Sequence, residues 1–562
     1  MDDVIFIIRK SRIKLTGLFF CFLLAAITSF FSLLPEQFVS LILNSLSNND
    51  IAASKSPFSF LTGETNQYHV LTYVFMFFIF SLLAILLKNY YSYLATVISE
   101  KIISNVRASV FKKLTTLKFD TQLKLYKGDV VNLVINDTAR LSFIFERPFY
   151  TLLSDLVDFI FISIYLIIVD YKILIIQLLI VPLIYLASIV TGRKQRVVAK
   201  KTRDYDSLLA EKSEQLVSQF EKVKVHNGEA YENKNFGYIL SKSLKTRVSG
   251  ARSLALFFPI EGGARVLGVS IVMLYTIHNI YENFLPIGAL AINLSYANKF
   301  FSPVRNIASY YQLIQKGIIS CKEIRHLYSL DSENNEGAVT KTFNSIRISV
   351  KNLSLGFSER KLLNKLSFSC GSGEMLIVKG ASGTGKTSLL RTILRLYHPA
   401  AGTIFLNDTD ITTLDIEGYR SILTYISQNF YIDKENIIDN IAYPDSDIDH
   451  ARALSIIKKL NLSHLLDSNC NAEDGKIFSG GEQLRISFGR CLYNQAPIVL
   501  LDEVFSNIDK QNIEMLINCI SELLAKGTAI ILVTHFLNER LTNMACRVIE
   551  MKDYTLDITK NL

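Results

Sequence analysis

One glycine-rich turn in the chain has the residue types and the spacing that hold phosphate groups. The stretch GASGTGKTS begins at Gly380 and fits the pattern G-x-x-x-x-G-K-[ST], with the apolar segment EMLIV before it and a helical pattern after it. Its glycines let backbone N–H groups approach phosphate oxygens, and the helix start adds the positive end of its dipole. We therefore predict that Lys386 neutralises the β- and γ-phosphates of a nucleotide and that Thr387 ligates Mg²⁺. The predicted cradle comprises Gly380, Ala381, Ser382, Gly383, Thr384, Gly385, Lys386, Thr387 and Ser388.

Two adjacent acids follow an apolar run further along the chain. The stretch PIVLLDEVF predicts a buried strand that ends at Asp502 and Glu503. A strand that delivers an aspartate at its end fits the acid that holds Mg²⁺ in P-loop enzymes. We predict this role for Asp502, and we predict that Glu503 polarises a water molecule. An ordinary carboxylate at a strand end is the alternative for Glu503.

A second turn with the features of an anion site lies in FSGGEQLRISFGR, residues 478–490. Ser479 can begin a helix, and Gly480 and Gly481 would expose backbone N–H groups to a phosphate. Together with Glu482 they form the second predicted cradle. The chain has one P-loop, about a hundred residues away along the sequence. The simpler interpretation is that this turn binds the nucleotide held by another copy of the chain.

Alternating strands and helices are expected to position these residues in an α/β domain over residues 346–562. It opens with IRISVKNLSLGF, LSFSC and EMLIVKG, and the alternation that follows is typical of a parallel sheet. Residues 329–345 are polar and poor in large apolar residues, which is typical of a linker. Residues 1–328 are predicted to form a transmembrane domain with cytoplasmic helical extensions.

The chain is too apolar for an ordinary soluble protein, and its long apolar runs lie between residue 15 and about residue 315. Of the 562 residues 49% are hydrophobic and 20% are charged, and the mean hydropathy is +0.27. A helix that crosses a membrane needs about 20 apolar residues. Six stretches meet this requirement, so we predict an α-helical membrane bundle of six spans. They are residues 15–35, 69–95, 149–169, 172–192, 253–279 and 285–315.

Loop charge predicts the orientation of these spans. Residues 99–147 contain nine lysines and arginines and residues 193–252 contain fourteen, whereas 280–286 contains none and 44–68 only Lys55. By the positive-inside tendency, the two basic segments and both termini face the cytoplasm. Both segments have helical spacing, so we expect them to extend the membrane helices. The predicted location is the cytoplasmic membrane, with the lipid bilayer as a partner.

Polar residues within the predicted spans could form a structural ion pair or face a watery pathway. Glu261 and Arg265 are four residues apart and share a helix face. Charged side chains inside a membrane usually face the interior of a bundle. Both explanations stay open for the whole set, which also includes Asp155, Asp158, Asn293, Tyr296, Lys299 and Arg305.

Cysteines and net charge exclude several other classes of site. The seven cysteines occur singly and no CxxC is present, so neither a disulfide framework nor a metal cluster is expected. The net charge of +9 is explained by membrane orientation, and no nucleic-acid partner is predicted.

These motifs, in this order, resemble those of the ATP-binding cassette (ABC) transporters of the exporter type. FSGGEQLR is similar to the family signature, Gln428 in TYISQN to the loop that senses the γ-phosphate, and His535 in ILVTHF to the switch histidine. SNID, residues 506–509, is similar to the loop that crosses the dimer interface, and Phe357 falls where the family stacks an aromatic ring on adenine. The resemblance implies that Lys386, Gln428, Glu503 and His535 take part in catalysis and that Gln428 joins Thr387 and Asp502 at the Mg²⁺ site.

The resemblance also implies a dimer. In this family two cassettes close head to tail around two ATP molecules, each held by the P-loop of one cassette and the signature of the other. Because this chain has plausible residues for both halves of the site, we expect a homodimer rather than a mixed pair. The departures from the family pattern are Phe478 for leucine, Glu482 for glutamine, Phe357 for tyrosine and Asn507-Ile508 for Ala-Leu.

ATP-driven export by alternating access is the function that the resemblance implies. We rank a peptide or a small amphipathic compound first as cargo, and lipid flipping second. The first predicted span begins at residue 15, so no peptidase domain is expected ahead of it and leader processing is not expected. A membrane sensor that uses ATP-driven closure without net transport is the alternative from a different class.

Overall fold

Long helices fill one unit of the computed structural model, and two sheets fill the other. The structure describes residues 2–11, 15–46, 70–282, 284–333, 345–357, 360–381, 383–400, 402–427, 432, 436–445, 447–466, 478–505, 510–552 and 555–561. The first unit is Met1–Leu117 with Leu123–Asp331, and the second is Lys118–Gln122 with Ser332–Leu562. Most of the predicted linker, 329–345, lies outside the described residues.

Helices make up most of the described residues in the first part of the chain. A short π-helical turn at Leu133–Asp137 interrupts the series. The helices are α1 Asp2–Lys10, α2 Leu15–Leu46, α3 Val70–Thr115, α4 Phe119–Lys124, α5 Lys127–Asn132, α6 Ser142–Phe145, α7 Arg147–Ser218, α8 Phe220–Val225, α9 Glu229–Tyr281, α10 Gly288–Phe300 and α11 Ser302–Ser329.

Four helical stretches among the described residues are long and apolar enough to cross a membrane. They are Phe19–Leu46, Val70–Thr115, Gly128–Ser218 and Glu229–Tyr281. The third covers both predicted spans 149–169 and 172–192, and it leaves helical geometry at Asp170, with φ −158° and ψ 97°. The predicted span 285–315 is divided at Phe301 between α10 and α11 and is not one of the four. A helical membrane unit is therefore confirmed, whereas the number six stays a prediction.

Close backbone approach and buried rings hold the membrane helices together. A Cβ atom added to Gly268 of α9 would lie 2.8 Å from Ile180 of α7, so glycine permits close packing there. Tyr296, Phe300 and Phe301 lie in the centre of the apolar core between α7, α9 and α10. Because lipid tails are as apolar as these side chains, close van der Waals packing rather than removal from water stabilises this part of the bundle.

The polar residues predicted within the spans have different environments. Glu261 and Arg265 form no ion pair among the described residues, although they share a face of α9. By contrast, Lys299 Nζ lies 3.2 Å from Glu36 Oε1 of α2. Asp155 accepts a hydrogen bond from Asn306, and the Arg305 side chain lies outside the described residues. Of the two explanations left open for Glu261 and Arg265, the ion pair between them is thus not present among the described residues.

The second unit contains a four-stranded and a six-stranded sheet. Their orders are β2-β1-β4-β5 and β10-β9-β3-β8-β7-β6. The strands are β1 Arg347–Phe357, β2 Arg360–Gly371, β3 Met375–Gly380, β4 Ile404–Leu406, β5 Thr409–Asp410, β6 Leu423–Ile426, β7 Ile498–Asp502, β8 Ala529–Val533, β9 Arg547–Lys552 and β10 Thr555–Asn561. The helices are α12 Lys386–Ile393, α13 Ile416–Ser421, α14 Ile437–Ala442, α15 His450–Lys459, α16 Gly480–Asn494, α17 Lys510–Ala525 and α18 Glu539–Met544.

Parallel pairing within the larger sheet brings three chain segments to one edge. β3 pairs with β8, and β8 pairs with β7, in parallel register. All residues of β7 and β8 are buried, as expected for strands covered on both faces. The carboxyl ends of these strands therefore lie side by side, where open α/β sheets bind their ligands.

Candidate nucleotide site

The P-loop connects the end of β3 to the start of α12. Gly383 and Gly385 have φ values of +86° and +95°, which glycine adopts without strain. At Gly380 an added Cβ would lie 2.6 Å from the carbonyl oxygen of Met551, so the turn has no room for a side chain there. The glycines of the motif are therefore required by the conformation of the turn itself.

Lys386 is folded back over this turn. Its side chain is only 4% exposed. Its ammonium group donates to the carbonyl oxygens of Gly380 and Ala381, both at 2.9 Å. A buried ammonium group aimed at a ring of backbone groups is positioned to meet an anion held by that turn.

Glu503 and His535 converge on the same ammonium group. Lys386 Nζ lies 3.6 Å from Glu503 Oε1 and 3.1 Å from His535 Nε2. The distance between Glu503 Oε1 and His535 Nε2 is 3.1 Å. Glu503 has a φ of +53°, and its N–H donates to Val533 at the end of β8, which fixes this conformation. The fold thus brings together three residues that span 149 positions of the sequence.

Asp502 connects the P-loop helix to the neighbouring strand. Its Oδ1 accepts from the Thr387 hydroxyl at 3.2 Å, and its Oδ2 accepts from the Tyr425 hydroxyl at 3.0 Å. Burial raises the pKa of Asp502 above its ordinary value, and the two hydrogen bonds oppose part of that rise. Burial and the charge of Asp502 raise the pKa of Tyr425, so this phenol stays a donor. Thr387 and Asp502 supply the oxygen atoms that Mg²⁺ prefers, so the donor set fits this ion.

The second predicted cradle begins α16, as the sequence predicts. Ser479 is the N-cap of this helix and forms a capping box with Glu482. The Glu482 carboxylate accepts from both the N–H and the hydroxyl of Ser479, each at 2.8 Å, and it lies 2.8 Å from Nε2 of His464. Although burial alone would raise the pKa of Glu482, the hydrogen bonds from His464 and Ser479 hold it below its ordinary value. No hydrogen bond or ion pair of the described residues links this cradle to Lys386, Asp502 or His535.

The glycines of the second cradle are not required by the fold of their own chain. An added Cβ at Gly480 would meet no atom within 4 Å, and one at Gly481 would meet only Asn512, at 3.6 Å. Both residues lie in a helix and neither has a positive φ. Among the described residues, therefore, no atom fills the space that a side chain at position 480 would occupy.

Some predicted site residues lie outside the described part of the chain. These are Ser382, Gln428 and 506–509, together with the side chain of Phe357 at the end of β1. Two residues in the site were missed by sequence reasoning. Tyr425 lies three positions before Gln428 in β6, and only the parallel pairing of β6 with β7 brings it to Asp502. His464 has no motif, and only the fold reveals its contact with Glu482.

A short segment from the first part of the sequence packs beside the P-loop helix. Lys118–Gln122 belongs to the second unit, although its neighbours in sequence belong to the first. The Phe119 ring lies 5.9 Å from the Tyr397 ring and 5.6 Å from the guanidinium of Arg391, which is part of α12. Because these contacts are direct, a movement of α12 would displace this segment as well.

Comparison with known protein families gives two matches that together include most of the chain. The family model described as ABC transporter transmembrane region matches residues 18–304, and the model described as ABC transporter matches residues 363–506. The second match includes the P-loop, the Ser479 cradle and the Asp502–Glu503 pair.

Curated relatives and solved structures agree with these matches. Proteins named ATP-dependent lipid A-core flippase from Burkholderia orbicola and Pseudomonas syringae pv. tomato are each 24% identical to this chain, over 463 and 460 residues. Each alignment covers 80% of this chain and 76% of the relative. The structure of a bacterial Atm1-family ABC exporter with ATP bound is similar in fold, with a TM-score of 0.79 at 18% identity, covering 97% of this chain and 94% of that one.

Proposed function

Since the chain belongs to the ATP-binding cassette transporters and is a membrane-spanning exporter, we propose that it uses ATP hydrolysis to move a lipid-like amphiphile across the cytoplasmic membrane. The observation that carries this proposal is the convergence of Lys386, Glu503 and His535 beside the Thr387–Asp502 pair. This arrangement supports hydrolysis as well as binding, because it combines a phosphate cradle with a base and an orienting imidazole.

Each side chain has a distinct role in the proposed reaction. Lys386 neutralises charge on the β- and γ-phosphates, and Glu503 orients and polarises the attacking water. His535 holds the γ-phosphate and, through its contact with Glu503, keeps that carboxylate in position. Thr387 and Asp502 would hold Mg²⁺, which when bound neutralises charge that develops on the phosphates. Tyr425 fixes the orientation of Asp502 through its hydroxyl.

The second cradle points to a homodimer with composite sites. Ser479 and the open N-terminus of α16 form an anion site that makes no contact with Lys386 or Asp502 among the described residues. The described residues of this chain do not require glycine at position 480, which supports a role of this position toward an external ligand. We propose that this ligand is the triphosphate bound by the P-loop of the second copy. Closure of the two cassettes would then favour the outward-open bundle by population shift.

A lipid-like cargo is supported by the names of the relatives and by polar groups in the bundle. The two relatives are named for lipid A-core, whereas neither is named for a peptide, the cargo that the sequence ranks first. Gln37 of α2 donates to the hydroxyl of Tyr296 of α10 at 2.9 Å. The adjacent Glu36 pairs with Lys299, which follows Tyr296 by about one turn of α10. Polar groups within apolar helices suit a molecule that has both a polar head and an apolar body.

Transport in reconstituted vesicles tests this function. The full chain would be inserted into liposomes that contain a fluorescently labelled lipid, and ATP-dependent loss of label to an external quencher would be followed. We expect movement with wild type and none with Glu503→Gln. ATP turnover that a lipid stimulates, without movement of lipid, labelled peptide or amphiphilic dye, would contradict transport and favour an ATP-dependent sensor.

A further inference from the structure

A partly open cavity in the first unit is lined by four cationic side chains. Its volume is about 150 Å³. Arg140 lies just before α6, Arg203 and Asp206 belong to α7, Arg247 belongs to α9 and Lys316 belongs to α11. Lys316 directly follows the last predicted span, so the cavity lies where the helices extend beyond the predicted hydrocarbon region. Four segments of the chain therefore direct positive charge toward one small space.

The three arginines are already matched by carboxylates. Arg203 Nη1 lies 2.7 Å from Glu323, Arg247 Nη2 lies 2.6 Å from Asp206, and Arg140 Nη1 lies 3.1 Å from Asp137. Asp137 has a side chain that is 2% exposed. Arg203 Nη2 also lies 3.5 Å from Asp137 Oδ2, so two arginines share Asp137. A guanidinium has five N–H donors, so one or two carboxylate contacts leave donors available for a further acceptor. The ion pairs thus hold the arginines in place and still leave N–H donors of each guanidinium group available.

Lys316 is held less tightly by acidic groups than the three arginines are, because the charge of Asp206 acts on it only from beyond ion-pair distance. Among the residues that the structure describes, it forms no ion pair, and its nearest aromatic contact is the Phe143 ring, at 6.0 Å. Its side chain is half-buried, so it is not a freely solvated surface lysine. Burial, and then the positive charge of Arg247, lower the pKa of Lys316 below its ordinary value. An anion bound in the cavity would offset the neighbouring positive charge and so stabilise the charged form of Lys316.

The position of Lys316 is fixed by the close packing of its helix. A Cβ atom added to the next residue, Gly317, would lie 2.5 Å from Ile144 and 3.3 Å from the carbonyl oxygen of Arg140. Glycine therefore lets α11 touch the segment that carries Arg140. This contact holds Lys316 beside the arginine, although the two cations repel each other.

We propose that this cavity binds a phosphate-bearing group through Lys316, Arg140 and Arg247. A phosphate is small enough for the volume and has oxygen atoms that accept hydrogen bonds from several directions at once. Either free phosphate or the phosphate of a lipid headgroup has this chemistry. The site differs from the P-loop in its residues and belongs to the first unit.

The test uses the full chain in phosphatidylcholine nanodiscs, with a non-hydrolysable ATP analogue present so that the P-loop is filled. Thermal unfolding is measured against inorganic phosphate, with chloride at equal ionic strength as the reference. We expect saturable stabilisation of wild type. For Lys316→Gln, the phosphate concentration that gives half of the maximal stabilisation should rise at least about tenfold, because a hydrogen bond to a charged group is lost.

Two control variants separate this effect from general damage. Lys322→Gln removes an exposed lysine from the same helix and should respond as wild type does. Lys316→Arg retains the charge and should retain most of the response. The proposal is overturned if phosphate stabilises wild type no more than chloride does, or if Lys316→Gln responds as wild type does.

The source of the phosphate is decided by a second set of nanodiscs. In phosphatidylglycerol nanodiscs, an anionic headgroup competes for the cavity if it is the natural occupant. Loss of the response to added phosphate there identifies a lipid headgroup as the occupant. A response equal to that in phosphatidylcholine identifies a free anion.

Discussion

The imidazole Nε2 of His464 lies 2.8 Å from Oε1 of Glu482, while Oε2 of the same carboxylate accepts two hydrogen bonds from Ser479. The acid thus joins a histidine of a neighbouring turn to the N-cap of α16. Glutamine is usual at position 482 in the family, so this chain has an additional negative charge beside the proposed phosphate contact. The carboxylate strengthens the cap, but it also repels a triphosphate.

Removing this charge should strengthen the apparent affinity for ATP. We expect Glu482→Gln to lower KM for ATP, with a larger effect at low salt, because a like charge near the phosphate is lost. Turnover assays over a range of ionic strength measure this effect. Glu514→Gln, which removes an exposed carboxylate elsewhere in the cassette, should leave KM unchanged. An equal or higher KM for Glu482→Gln at low salt would contradict the argument.

The depressed pKa of Glu482 also gives a pH dependence. A carboxyl group whose folded-state pKa lies below its unfolded value contributes stability above the unfolded pKa, and this contribution is lost as pH falls through the folded pKa. Thermal unfolding of wild type and Glu482→Gln should therefore differ most near neutral pH. The difference should shrink below the ordinary carboxyl pKa of 4.5.

Glu503 is the residue on which turnover should depend most. Glu503→Gln retains the shape of the side chain but loses its ability to accept a proton. We expect ATP binding to persist and the hydrolysis rate to fall by about 10²-fold or more. Binding of a fluorescent ATP analogue and phosphate release measure the two properties separately. Hydrolysis at the wild-type rate would refute the proposed role.

Lys386 should contribute mainly to nucleotide affinity. Lys386→Ala removes a buried ammonium group that lies within the phosphate cradle, and a charge-assisted contact of this kind contributes about 1.5–3 kcal/mol. We expect ATP affinity to fall by roughly ten- to a hundredfold. Lys379→Ala is the matched control, since Lys379 lies in the preceding strand and pairs with Glu550 at 3.6 Å. Equal losses in both variants would show that the effect is not specific to the cradle.

How far the sequence predicts this site depends on the range of the contacts. The P-loop, the Ser479 helix start and the Asp502–Glu503 strand end are determined by neighbouring residues, so local spacing predicts them. Tyr425 and His464 enter the site only because β6 pairs with β7 and a turn packs against α16, contacts that no short pattern encodes.

The same distinction explains the membrane unit. Apolar length predicts that its helices can cross a membrane, but it does not predict where a helix changes direction. Asp170 and Phe301 mark such changes within stretches that hydropathy treats as uniform. The ion pair of Glu261 with Arg265 is absent among the described residues for a related reason. Helical spacing places two side chains on one face, but it does not determine the rotamer of either one.

Tyr425 should influence the pH profile of turnover through Asp502. The Tyr425 hydroxyl donates to the ionised form of Asp502 and so opposes the rise in pKa that burial causes. Tyr425→Phe removes this hydrogen bond, which should raise the pKa of Asp502 further. We expect the acidic limb of the rate profile to move to higher pH, because the carboxylate must be ionised to hold Mg²⁺. Tyr443→Phe, an exposed tyrosine of the same unit, is the control. An unchanged acidic limb would show that Asp502 does not control it.

The composite site can be tested by mixing two inactive variants. Gly480→Leu should leave the fold intact, because the space around its Cβ is open within the chain, yet its side chain should block the triphosphate of the second copy. Lys386→Ala disables the P-loop instead. In a mixed dimer of these two variants, one site combines both defects and the other combines an intact P-loop with an intact Ser479 cradle.

Mixing should therefore restore activity that neither variant has alone. Purification through two different tags retains only mixed dimers, each with one intact site of two, so we expect about half of wild-type turnover if the sites act independently. Turnover is measured after co-expression and purification through two different tags. A nucleotide site formed within one chain would give no intact site in any mixed dimer, since Gly480→Leu would then disable its own P-loop partner. Absence of any recovery would thus exclude a head-to-tail dimer with independent sites, whereas recovery cannot arise from two sites that are each built from a single chain.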